Sequence, residues 1–210
     1  TYDPGAMEGL LGSGDSSIIN NYYQNTYGSG NTTYNQHSYS SSGLNMHDHG
    51  CGPIALADRV NRTLGGRVDP NVLAKSMAAS GNYSSTRGTS IAGMLNTGRA
   101  LGMNMQVGGV TPHSLSQATP NNPITVIGSG IGYDTRDGNN HFMNVLGTNG
   151  SGMAYVSNPM TGRVSRTPLN QLALHSKLGL YGSGDIEDNF NFGEEAKNVF
   201  SELKNLWTGI

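Results

Sequence analysis

Only one of the 210 residues is a cysteine, Cys51, and it stands in the stretch LNMHDHGCGPIALADRVNR against a Gly-Pro pair, where the pattern predicts the start of a helix. A lone thiol is usually a small buried hydrophobe. At a helix N-terminus the unpaired backbone N–H groups and the macrodipole favour its nucleophilic thiolate form, and Gly52 leaves room for a substrate backbone to approach. A thiol nucleophile needs a base. Of the six histidines, His37 lies in a polar approach segment, His47 and His49 are immediate sequence neighbours, His113 and His175 fall on surface helices, and His141 heads the strand HFMNVLGT. His141 is therefore the imidazole best held on a rigid element. If Asn149-Gly150 is a two-residue hairpin turn, His141 lies opposite Asn158 of the segment SNP, and the amide oxygen of Asn158 can orient the imidazole. Cys51, His141 and Asn158 then form a set suited to nucleophilic catalysis by a thiol.

These residues need a scaffold, and the chain is long enough for one domain with a real core. Its 12 basic and 14 acidic residues nearly balance, and no Lys/Arg cluster is present to follow a phosphate backbone, so nucleic acid is not an expected partner. One cysteine cannot form an internal disulfide, which leaves the redox compartment open. No apolar run approaches the ~18 residues of a membrane span, and the start does not resemble a signal peptide.

Residues 16–47 contain no Asp, Glu, Lys or Arg and few aliphatics, so 1–43 is read as a polar flexible linker, partly drawn over the domain by its tyrosines. From Cys51 onward, GPIALADRVNRTLGG, DPNVLAKSMAASG and TSIAGMLNTGRALG carry helix starts and glycine stops, predicting three consecutive helices. The period then changes. MQVGGV, PITVIGSG, HFMNVLGT and MAYVSNP read as strands, GRVSRTP as a weaker one, TPLNQLALHSKL as a capped helix, and Leu178 to Tyr181 as a last strand. Helices followed by an antiparallel sheet make an α+β domain over 44–182. Residues 183–210 turn acidic and then amphipathic, with Val199, Phe200, Leu203, Leu206 and Trp207 on one helical stripe, and the uncapped end is expected to belong to a longer polypeptide.

The segments CGPIALA, NHFMNVLG and YVSNP, in that order, resemble the papain-like cysteine peptidases. The likeness is to the double-glycine leader peptidase domains of bacteriocin-exporting ABC transporters, over roughly residues 44 to 181. The resemblance implies a papain-like fold with N-terminal helices packed on an antiparallel sheet. It also implies a thiol peptidase acting on polypeptide without a metal or cofactor, with Cys51, His141 and Asn158 as the catalytic set. The family commonly has Asp before the Pro where this chain has Asn158, an exchange also found in papain. It places a Gln six residues before the Cys as an oxyanion donor, which here implies Asn45, with His47 or His49 as a substitute.

The heptapeptide GLLGSGD at residues 9–15 returns as GLYGSGD at residues 179–185, with six of seven positions identical. Both copies are either paired linkers or cleavage sites. In the second case the chain is cut after Gly14, after Gly184 or after both, with Leu10/Leu11 and Leu180/Tyr181 as anchors and Asp15 and Asp185 opening the products. The flanking composition resembles tailed-phage tape-measure proteins, which implies a virion tail component that processes its own polypeptide. Two other readings compete. An extended HDHGC would direct His47, His49 and Cys51 to one side as a metal-binding structural module. Asn45 in place of Gln suits an inactive peptidase fold that binds glycine-rich peptides.

Overall fold

A computed structural model describes residues 34–39, 43–65, 68–133, 135 and 139–182. The helical half opens with α1 (Met46–His49) and α2 (Cys51–Leu64), followed by α3 (Pro70–Ala79) and α4 (Ile91–Ala100). The three longer helices fall where the sequence signals place them. Asp69 caps α3 by accepting from the N–H groups of Asn71 and Val72, with Pro70 in the first turn. Ser90 caps α4, and Gly65 ends α2 in the left-handed conformation. The short α1 and a hairpin of β1 (Tyr83–Ser84) and β2 (Gly88–Thr89) carry no such periodic signal, and neither was expected.

The sheet is formed by β3 (Gln106–Gly108), β4 (Ile124–Gly128), β5 (His141–Thr148), β6 (Met153–Asn158), β7 (Arg163–Pro168) and β8 (Ser176–Tyr181). Their order is β3-β8-β4-β5-β6-β7, antiparallel throughout. Two further short helices, α5 (Pro112–Leu115) and α6 (Leu169–His175), lie over the sheet face away from α2. No side chain caps α6; Pro168 holds that position and Thr167 is spent as a buried strand residue. Alternation along β5 divides the core. Phe142 joins the apolar residues of α2–α4, whereas Met143 and Val145 join Val126, Val156, Leu172 and Tyr133 on the other face. Among the described residues no helix is long and apolar enough to cross a membrane.

Helix α2 is buried nearly all round and meets the sheet through a polar network as well as apolar contacts. Arg62 Nε donates to Asp58 at 2.8 Å, and Asn144 of β5 donates to the other Asp58 oxygen and to the Ala55 carbonyl. The Thr125 hydroxyl of β4 donates to Asn144 and accepts from Arg59, whose guanidinium also donates to the carbonyls of Leu180 and Gly182. Burial lowers the Arg59 pKa to about 10. The acceptors are answered by donors from the helix itself, the neighbouring strand or the facing element, which offsets most of the cost of burying such groups, although Arg59 Nε stays buried without a hydrogen-bond partner among the described residues.

The described part of the segment read as a linker is packed against the domain. Gln36–Ser38 form a 3-10 turn, and the Gln36 N–H donates to the Pro159 carbonyl at 2.8 Å. The Tyr34 hydroxyl accepts from Asn61 and donates to the Val68 carbonyl, and its ring meets Tyr39 edge-on at 5.6 Å. These tyrosines do hold the segment to the domain. The remainder of 1–43 and the expected amphipathic helix in 183–210 lie outside the described residues.

Candidate active site

Cys51 occupies the first position of α2, capped by Gly50. Both flanking glycines are required by close approach. A Cβ at position 50 would lie 2.3 Å from the Met46 carbonyl oxygen, and one at position 52 would lie 2.4 Å from the Thr89 hydroxyl. Gly52 therefore makes room for the β1–β2 hairpin, not for a substrate backbone as the sequence suggested. Burial pushes the Cys51 thiol above its ordinary value, while the N–H groups of Phe142, Gly52 and Cys51 itself pull it partly back. The contact with the Phe142 N–H joins the sulfur to the residue immediately after His141.

His141 is 2% exposed and Asn158 1%, and His141 Nε2 lies 2.8 Å from Asn158 Oδ1. That oxygen also accepts the Met160 N–H at 2.9 Å, which fixes it as the oxygen of the amide. Nε2 must then carry the proton, and Nδ1 is the acceptor nitrogen of the neutral ring. The contact expected from sequence is present, but its register differs. Asn144 pairs with Ser157 and Val145 with Val156, and a bulge follows before Gly147 pairs with Tyr155. The cause is the connection. Asn149 Oδ1 accepts from the N–H groups of Ser151 and Met153, and Gly152 adopts φ 77°, so the chain turns through residues 149–152 in place of a two-residue Asn-Gly turn. Asn158 consequently reaches His141 along a diagonal, a separation that long polar side chains can span.

Cys51 and His141 line one cleft of about 720 Å³ with Gln36, His37, His47, Asp48, His49, Arg87 and Met160 among its other walls. Asn45 is not on that wall. Its amide caps α1, accepting from the Asp48 N–H and donating to the Asp48 carboxylate at 2.9 Å. These bonds, with that from His47, hold the Asp48 carboxyl below the usual carboxylate range. The amide that does reach the cleft is Gln36, 2% exposed, which donates to the His47 carbonyl while its Oε1 is buried without a partner. Sequence reasoning passed over Gln36 because it lies in an uncharged stretch whose only local cue is the turn-forming Asn35. His37 was set aside with that stretch, yet it too lines the cleft.

The extended HDHGC required for a metal module does not form, because Met46–His49 are helical and Cys51 begins the next helix. Among the described residues no group of three or more His, Cys, Asp or Glu is arranged to hold a metal ion. Gly14, Asp15, Gly184 and Asp185 lie outside the described residues. The upstream part of the second repeat is described, and it is not available as a cleavage anchor. Leu180 is 1% exposed within β8 between β3 and β4, and the Tyr181 hydroxyl donates to the Gly109 carbonyl.

A raised thiol pKa means that thiolate is scarce near neutrality. Alkylation of the peptide-free protein by iodoacetamide should therefore titrate on the alkaline side of about 8.5, the ordinary thiol value. A midpoint below neutrality would show a thiolate already paired with an imidazolium.

No family model matches the chain, and no curated protein sequence matches it. Solved structures do. The peptidase domain of Streptococcus ComA, a bi-functional ABC transporter of a quorum-sensing pathway, aligns at 18% identity with a TM-score of 0.51, over 65% of this chain and 93% of that domain. A double-glycine-motif protease from an AMS/PCAT transporter, solved with its leader peptide, aligns at 17% identity with a TM-score of 0.50, over 73% and 96%. Such identities speak to architecture alone, and on architecture they agree with the element order and the helix-on-sheet packing: this chain has the papain-like peptidase fold.

Proposed function

We propose that the chain is a cysteine endopeptidase cleaving glycine-rich sites of the GSG-Asp type. The observation that carries the reading is that Cys51 and the His141 ring, held in place by the buried bond to Asn158, line the same cleft. A leader peptide bound to one structural neighbour supports a peptide as the substrate class. Cys51 Sγ attacks the scissile carbonyl carbon as its proton passes to His141 Nδ1, and the carbonyl π electrons move to oxygen. The Cys51 N–H at the start of α2 and the Gln36 amide, in place of Asn45, donate to that oxyanion. Collapse breaks the C–N bond, with the Nδ1 proton going to the departing amine. Water then gives a proton to Nδ1 and attacks the thioester, and loss of the thiolate, reprotonated from Nδ1, releases the acid.

On this reading the chain processes its own polypeptide, a phage tail structural protein by the composition of its flanks. The preferred bond is Gly14–Asp15, because cutting after Gly184 would require β8 to leave the sheet. Mass spectrometry of the 210-residue chain kept in reductant should show a product beginning at Asp15 that Cys51→Ala does not yield. An intact wild-type chain, with an unrelated glycine-rich peptide being cut, would remove self-processing and leave the peptidase. One observation favours the inactive, peptide-binding alternative: Asn45 is held by Asp48. That alternative predicts no product from either substrate.

A further inference from the structure

We infer that the rim of the cleft is a carboxylate subsite that selects an acidic residue directly after the scissile glycine, an inference that rests on the peptidase reading. Arg87 is exposed on the β1–β2 turn and makes no ion pair among the described residues, although it lines the cleft. The only described carboxylate on the wall, Asp48, is already held by Asn45 and by His47 Nδ1 at 2.8 Å. Among the described residues the Arg87 charge is thus unanswered. Around it, His37 and His47 are in ring contact at 4.3 Å, and the turn lies close to α1, since a Cβ on Gly88 would be 3.3 Å from the His49 carbonyl. His37, His47 and His49 share the cleft wall with Arg87, and imidazole N–H groups together with a guanidinium are a donor set that suits a carboxylate side chain.

The sequence contains the matching ligand independently of this geometry. Both heptapeptides place Asp directly after Gly-Ser-Gly, and the second continues as Asp185-Ile186-Glu187-Asp188. An acidic residue in that place would bring the unanswered charge its counterion only when a correct site is bound, so the subsite contributes to selection rather than to bond breaking.

The test compares kcat/KM for a synthetic peptide of residues 8–21 with its Asp15→Asn and Asp15→Lys forms, using the wild-type chain and Arg87→Glu. The Asp peptide should be preferred over the Asn peptide by about ten- to a hundredfold, as expected for a charge-assisted hydrogen bond. Arg87→Glu should invert the order in favour of Lys. Equal rates for Asp and Asn, or an Arg87→Glu profile like wild type, would overturn the subsite while leaving the peptidase intact. If no peptide is cut, the peptidase reading fails, and fluorescence anisotropy with labelled peptides decides the subsite alone. Tighter binding of the Asp peptide, lost in Arg87→Glu, supports it; equal binding of all three rejects it.

Discussion

Replacing Cys51 with alanine should lower cleavage of a GSG-Asp peptide by at least about 10⁴-fold, because the covalent route disappears and only binding and oxyanion stabilisation remain. The fold should survive. The exchange removes a single sulfur from a half-buried helix start whose neighbours, Gly50 and Gly52, keep their backbone contacts. His141→Ala should cost nearly as much, since desolvation pushes the Cys51 thiol pKa up and a thiol needs an acceptor during attack. Asn158→Ala should cost less, because it removes orientation and not the proton acceptor itself. The ranking is the discriminating result, read from single-turnover kinetics beside thermal melts of the same proteins. Cys51→Ala cutting at the parent rate would exclude this residue as nucleophile.

The largest effect on stability should come from Asp58→Ala. The Asp58–Arg62 pair is buried, with side chains 2% and 1% exposed, and the second Asp58 oxygen is the acceptor for Asn144. Removing the carboxylate leaves a desolvated guanidinium and an unmet amide donor, a loss of about 3–5 kcal/mol. For a domain of this size that lowers the melting midpoint by roughly 6–20 °C. Asp58→Leu combined with Arg62→Met should recover much of the loss, because the cost lies in the stranded charge and not in the missing bond. A midpoint within about 2 °C of wild type for Asp58→Ala would show that the pair is not coupled to folding.

The proximity of the candidate trio was legible because each member sits where local chemistry is explicit: a Gly-Pro helix start after Cys51, a strand head at His141, and an Asn-Pro turn at Asn158. Element types were legible for the same reason, since Asp69, Ser90 and Gly65 are caps whose physics acts within a few residues. The register of β5 against β6 was not. Asn149-Gly150 has the composition of a tight turn, but the Asn149 side chain captures backbone two and four residues onward, and the choice between the two outcomes depends on packing across the strands. Asn45 misled for a similar reason. Its place six residues before Cys51 is where the family resemblance implies an oxyanion donor, but Asp48 lies within reach of its amide and takes it. Gln36 was hidden by distance, because its value comes from Pro159 and His47, contacts that no local pattern encodes.

The network joining α2 to β4, β5 and β8 bears on how the molecule fluctuates. Cys51 and the strand headed by His141 belong to elements fastened together by Asp58, Asn144, Thr125 and Arg59, so their separation requires breaking buried polar bonds at several places at once. Such an opening has nearly the free energy of global unfolding. The 3-10 turn and the β1–β2 hairpin that present Gln36 and Arg87 lie outside that network, held by the Gln36 bonds to Pro159 and His47 and by the buried Tyr83 ring, and should open at lower free energy. Under mild denaturation Gln36 and Arg87 should therefore leave the cleft wall while Cys51 and His141 still hold their places.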